Sequence, residues 1–255
     1  MLWYKSFLDT RWRFLIGFAL VLFSAAGAVF AYPRVMELMP LASSIEVSGE
    51  LGRRIREGVE LARDYRGYVW SQWVRQSLSN TVTLFAAVLG TGGLLSQSSG
   101  RGALFTLSLP VSRDRLVAAR AGTGLVELLA MAVIPPLVLV VLSPAIGRSY
   151  SVADALAHGA CLFVAGAVFF SLTVLLSSVF DDVWRPALVA CAVAAGLAVA
   201  EPFLPGLSRF SVFRVMTGED YFYSRQLPWL GLLTSAAASA AMLFAAARNT
   251  ARQDF

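Results

Sequence analysis

Charge is scarce in this chain of 255 residues: 15% are Asp, Glu, Lys or Arg, against 57% that are apolar. Counting Gly in and Tyr out puts the apolar share at about 62%, where soluble domains hold ~45–50% on that definition. These figures exclude a water-soluble globule, a disordered chain and a fibrous repeat. Lysine is nearly missing, with Lys5 alone against twenty arginines. A Walker A loop needs Gly-Lys followed by Ser or Thr to hold phosphates, so it does not exist here. Any ATP that drives this protein binds another chain. His158 is the single histidine, and the two cysteines, Cys161 and Cys191, lie in long apolar stretches. They read as small buried side chains, with no disulfide framework and no metal site expected. Intramembrane hydrolysis needs paired ligands or a nucleophile with its base, and His158 one turn from Cys161 reads as packing.

What the chain has in excess is long apolar runs, and its mean hydropathy is +0.67. A bilayer core of ~30 Å takes about 20 apolar residues in helix, because lipid offers no partner to an unpaired backbone group. Six segments fit: 14–32, 78–96, 125–142, 156–180, 187–204 and 227–247. The second and sixth are richer in Gly, Ala, Ser and Thr, as packed helix interfaces often are. The expected fold is therefore all-α, a polytopic membrane protein with six transmembrane helices forming one domain over 1–255. Even parity places both termini on one side.

The basic excess of 21 over 16 is dispersed, so nucleic acid is not an expected partner. With the N-terminus inside, cytoplasmic segments hold Lys5, Arg11, Arg13, Arg101, Arg113, Arg115, Arg120, Arg185, Arg248 and Arg252. Seven other arginines fall in the long stretch 33–77, and long loops translocate largely regardless of charge. Setting that stretch aside leaves ten against four (Arg148, Arg209, Arg214, Arg225), which places both termini in the cytoplasm of a multi-pass cell membrane protein, expected to be a bacterial inner membrane. The first apolar run is long for a signal peptide and reads as a retained span.

Two stretches outside the spans are patterned. In 48–77, Leu51, Ile55, Val59, Ala62, Val69 and Trp73 recur at three-to-four spacing with a longer gap in the middle. That predicts an external amphipathic helix or helix pair, packed on the outer mouth or on an external partner, or else a solvated spacer. In 1–13, Lys5, Asp9 and Arg13 form a polar row beside apolar rows of Trp3 with Phe7 and of Tyr4, Leu8 and Trp12. This predicts an interfacial helix in the headgroup layer, or a straight extension of the first span.

The loop 97–120 is the most informative. Gly100 and Gly102 break the preceding span, Ala103 to Leu109 can form two helical turns, and Pro110 ends them. Leu104, Phe105, Leu107 and Leu109 are too apolar to face water alone. A soluble cytoplasmic subunit, or the membrane and neighbouring spans, must cover them. The basic cluster Arg113, Arg115 and Arg120 follows, which on charge grounds alone is a topology signal.

The run Leu107-Ser108-Leu109-Pro110-Val111-Ser112-Arg113, then Arg115-Leu116 and Ala119-Arg120, resembles the segment after the second span of ABC type-2 exporter permeases. Gly102-Ala103-Leu104 resembles their Gly-Thr-Leu step. The start, with Trp3, Lys5 and Arg11 to Leu15, is similar to their interfacial elbow helix. A final loop with Ser211, Phe213, Gly218 and Tyr221 also fits, so the likeness covers essentially the whole chain at low identity. It implies a permease subunit that pairs with a second copy or a sister permease and with cytoplasmic ATPases, which bind ATP and Mg while this chain binds no cofactor. It also implies a coupling helix from Arg101 and Gly102 to Leu109 and Pro110, seated in the ATPase. Gln97, Ser98 and Phe105 stand where many relatives carry glutamates, so the likeness implies apolar contact through Leu104 and Phe105.

Carboxylates within spans must face protein or water, since one at mid-bilayer costs at least ~2.5–3.5 kcal/mol on the insertion scale. Glu127 reads as a gate or head-group site, or as one partner of an interhelical hydrogen bond or of a snorkelling pair with Arg120 two turns away. Glu201, followed by Pro202 and Pro205, reads as a cavity-lining acid or an ordinary interfacial one. Pro135 and Pro136 predict a kink. Asp181 and Asp182 with Trp184 and Arg185 predict a tight turn, either a second ATPase contact or a capped helix end.

Overall fold

The computed structural model describes residues 2–43, 58–91, 113–180, 182–203 and 210–252, with side chains undescribed at 2, 39–43, 113, 114 and 202. Among the described residues the chain is all-helical. Helix α1 is Leu2–Ser43 and runs unbroken from the aromatic start through the first apolar run. Residues 2–13 are thus continuous in one helix with the first apolar run. Residues 58–63 form a short helix, and Asp64 breaks it. Next comes a continuous rod, α2, made of Tyr65–Tyr68, a π-helical stretch Val69–Leu78 and Ser79–Leu89. The others are α3, Arg113–Leu142; α4, Val152–Ser177; α5, Trp184–Ala200; α6, Val212–Thr217; α7, Glu219–Ser224; and α8, Trp229–Arg252.

Among the described residues, four helices are long and apolar enough to cross a membrane: Trp3–Leu38, Arg115–Ile146, Val152–Ser177 and Trp229–Arg252. α5 is a shorter apolar helix. The four divide by depth. In α4, 61% of the apolar window is buried within the protein, against 22% in α1 and 28% in α8, so α4 is the central post. α1 shows the opposite case, burying a narrow seam of Val21, Ala25, Val29 and Tyr32 at helical spacing while Phe23, Leu20, Ile16 and Phe30 point outward. An apolar helix exposed over most of its girth is stable only when its solvent is lipid.

α2 takes in the second half of the stretch 48–77, and the 58–63 helix precedes it. Leu51 and Ile55 lie outside the described residues, but Ala62, Val69 and Trp73 are buried, and residues 65–77 are the head of the same rod that enters the bundle. The gap in the apolar pattern coincides with the break at Asp64. Beyond it Tyr65 and the whole run 67–71 are buried, and further on Trp73 and Val74, Leu78 and Ser79, then Val82 and Thr83. That four-to-five spacing suits i→i+5 winding, which holds one face inward where α geometry would drift.

α3 passes through Pro135 and Pro136 without interruption. Pro136 has no N–H to offer the Ala132 carbonyl four residues back, so the helix leaves that acceptor unbonded. Gly159 of α4 lies against it: a Cβ there would sit 3.0 Å from the Ala132 oxygen. The absent side chain lets α4 approach until Cα hydrogens can meet the carbonyl. Gly90, at the end of α2, makes a closer approach, since a Cβ would come within 2.7 Å of the Phe170 carbonyl oxygen and of Thr173.

Contacts at the helix ends fix the run of the chain. Thr10 and Arg13 near the start of α1, Thr91 after α2, Arg120 in α3, and Ser177 and Ser178 at the end of α4 share one end of the bundle, and Asn249 of α8 bonds to Ser178 there. Both ends of the described chain therefore lie at this Thr91 end. Glu201, Asp154 and α6–α7 occupy the other.

Gly90→Ala is expected to force α2 from α4 and to cost about 1–3 kcal/mol, the usual range for overpacking. Gly27→Ala, where a Cβ meets nothing within 4 Å, is expected to be neutral. Thermal unfolding of both variants in detergent checks the difference.

Candidate functional site

The two ends of the bundle carry different polar chemistry. At the Thr91 end, Arg13 donates to Thr91 Oγ1 at 2.6 Å and Arg120 donates to the Thr91 carbonyl. Thr10 Oγ1 donates to Glu127 Oε1 at 2.5 Å, and the Ser177 hydroxyl donates to the Gly90 carbonyl at 3.3 Å. Hydrogen bonds thus tie α1 to the end of α2 and to α3, and α4 to Gly90, where the chain enters and leaves the segment 92–112. The end of α2 is closed by the Thr91 hydroxyl on the Val88 carbonyl at 2.7 Å, and the two guanidinium groups add positive charge where the helix dipole is negative.

Glu127 is buried, and its Oε2 finds no partner among the described residues. Of the two structural readings of Glu127, the interhelical hydrogen bond is the one formed, to Thr10, while Arg120 is anchored separately to Thr91. Trp3 lies over Gly122, Arg11 stacks 5.5 Å from the centre of the Trp12 ring, and Phe7 is partly exposed. Lys5 is engaged, and Arg115 is exposed. Arg101, Gly102, Ala103, Leu104, Phe105, Leu107, Leu109 and Pro110 lie outside the described residues, as does the Arg113 side chain. Asp182 accepts from the Trp184 N–H at 2.8 Å and pairs with Arg185 at 3.5 Å, a capped helix start.

The opposite end is organised around Asp154, which the sequence reading passed over. Its carboxylate is 2% exposed and receives Arg66 Nε at 2.9 Å, the Tyr221 hydroxyl at 3.0 Å and the Arg225 guanidinium. Three segments distant in sequence meet there: the head of α2, the first turn of α4, and α7 with the residue after it. Ser151 caps α4 and holds Asp154 in the positive field of the helix start. Arg66 also donates to the Phe222 carbonyl at 3.1 Å and lies 4.6 Å from that ring. Trp70, fully buried, stacks on Phe222 at 4.2 Å with planes 9° apart and donates its indole N–H to the Thr217 carbonyl at 2.9 Å. Tyr65 meets Ser143 at 2.7 Å. Burial raises the Tyr150 phenol above its ordinary range, the Asp154 charge adds to this, and the group stays neutral.

His158 is buried one turn below Asp154, edge-on to Tyr221 at 5.5 Å. Gly218 lies against the ring with φ of 61°, and a Cβ there would be 2.7 Å from Nδ1, so the position needs glycine twice over. Among the described residues no group of three His, Cys, Asp or Glu is placed to hold a metal ion. Glu201 accepts from Ser211 Oγ at 2.5 Å and helps fasten α6.

Asp154 was legible only as the fourth residue of Ser-Val-Ala-Asp, a helix-start pattern; its arginine partners come from 88 and 71 residues away. No family model, curated protein or solved structure matches this chain.

Asp154→Asn leaves Arg66 and Arg225 facing a neutral group, and is expected to cost about 3–5 kcal/mol, as for a broken buried pair. Arg225→Gln, at a side chain 56% exposed, is expected to cost under about 1 kcal/mol. Denaturation midpoints of the two variants check this order.

Proposed function

We propose that this chain is the transmembrane permease subunit of an ATP-driven exporter of the ABC type-2 kind, with its ATP and Mg bound by a separate cytoplasmic ATPase. The observation that carries the reading is the polar clamp at the Thr91 end. The segment 92–112, which contains the run resembling a coupling helix, leaves α2 at Thr91 and returns at α3. Bonds from α1 and α3 converge on Thr91, and the Ser177–Gly90 bond reaches the central α4. A push on that segment is therefore delivered to four helices together. Free energy can be transduced only if the bundle's two states make different contacts, and a clamped loop root provides a lever between them.

In this reading the bundle has six spans, with α2 and α5 added to the four long helices and residues 1–13 lying at the interface. The Thr91 end faces the cytoplasm, together with both termini and the Arg113, Arg115 and Arg120 cluster, in accord with basic residues retained inside. The Asp154 end faces outward. A second copy or sister permease completes the pathway, and Leu104 and Phe105 make apolar contact with the ATPase. A second reading, an ion-coupled carrier without an ATPase, is favoured by one observation, the unpartnered buried Oε2 of Glu127.

Gentle solubilisation of a tagged copy is expected to bring down an ATPase subunit, and Phe105→Asp is expected to reduce that recovery at least tenfold. Recovery of no ATPase, with transport that persists without ATP and stops when the proton gradient collapses, selects the carrier.

A further inference from the structure

At the Asp154 end a cleft of about 910 Å³ opens between the 58–64 segment, the π-helical stretch of α2, and α7. Its volume is in the ~300–1,000 Å³ range of small-molecule sites. Glu60 and Asp64 line one side, Ser71, Gln72, Arg75 and Gln76 another, and Tyr223 closes it with an exposed ring. The charges are not spent on each other. Neither Glu60, Asp64 nor Arg75 forms an ion pair or side-chain hydrogen bond with another described residue. Arg75 is nonetheless placed, because its guanidinium lies 5.7 Å from the centre of the Trp70 ring, and Trp70 is immobilised by Phe222 and the Thr217 carbonyl. An arginine held against a locked indole is a preorganised anion receptor.

A purely anionic ligand at Arg75 would meet two carboxylates, and a purely cationic one at the carboxylates would meet Arg75. A molecule carrying both signs meets both walls at once, and the Gln72 and Gln76 amides can bond either part. We propose that this cleft binds a zwitterion, an ammonium group joined through a few bonds to an acid oxygen group, with the ammonium at Glu60 and Asp64 and the anion at Arg75. The site does not depend on whether an ATPase drives the chain. A free zwitterion or the head group of a bilayer lipid would present the same chemistry.

Calorimetric titration of the full chain in an uncharged detergent, with glycerophosphoethanolamine as probe, tests this. Saturable binding is expected, at least tenfold tighter than for glycerophosphate or ethanolamine alone. Arg75→Gln and the pair Glu60→Gln with Asp64→Asn are each expected to weaken it at least tenfold. These side chains are exposed, and unchanged melting midpoints verify the folds; Tyr223→Ala, expected to weaken binding severalfold, is an independent variant. Mass spectrometry of the chain from discs of equal phosphatidylethanolamine and phosphatidylglycerol separates the sources. Retention of phosphatidylethanolamine, lost in Arg75→Gln, identifies a lipid head group; titration without retention identifies a free zwitterion. Equal binding of the two half-molecules, binding indifferent to the variants, or neither titration nor retention overturns the proposal.

Discussion

A carboxylate withdrawn from water must be met by charge, and Asp154 is the position on which one whole end of this molecule depends. Its oxygens receive two guanidinium groups and a phenol from segments that nothing else in the chain order would bring together. Such a pair yields little net stability over an apolar substitute, but it is unforgiving of wrong partners. It therefore acts on register. The head of α2 and the α6–α7 segment can seat on α4 in one way, and the Trp70–Phe222 stack and the Trp70–Thr217 bond then fill the space beneath.

The Thr91 end solves a related problem by different means. α2 stops at Leu89, and its last carbonyls face a region where water is not assured. The Thr91 hydroxyl donates to Val88, Ser177 to Gly90 and Arg120 to the Thr91 carbonyl, while Arg13 holds the Thr91 hydroxyl and Thr10 attends to Glu127. One end is an ion cluster closing a cap, the other a set of charge-assisted hydrogen bonds closing a helix terminus. Between them the packing is apolar and tight, set by glycines that let α4 touch the backbones of α2 and α3.

The helical character and the four helices long and apolar enough to cross a membrane are legible because lipid imposes a hydropathy threshold and a length that few other structures mimic. Helix limits were less so: α1 runs to Ser43 where the apolar run ends near Tyr32, and α2 begins at Tyr65 instead of Leu78. Hydropathy registers the hydrocarbon core, while helix continues into the polar zone, where Trp70 and Trp73 pack on protein and not on lipid. The break at Asp64 was visible as a gap in the pattern. Asp154 was not, because long-range ion pairs leave no periodic trace. Glu127 stands out in the sequence as an acid within a span, but hydropathy cannot name the residue on another helix that meets it, Thr10.

Ten consecutive residues of i→i+5 winding, Val69–Leu78, join these two ends within a single rod. Such winding is wider and shorter per residue than an α-helix, and it is rarely sustained. Were Val69–Leu78 to tighten into α geometry, the rod would lengthen and its lower half would rotate, turning Thr91 relative to Arg66. The chain thus holds, in the winding of one helix, a length of travel and an angle that could be exchanged between its two faces with no helix broken.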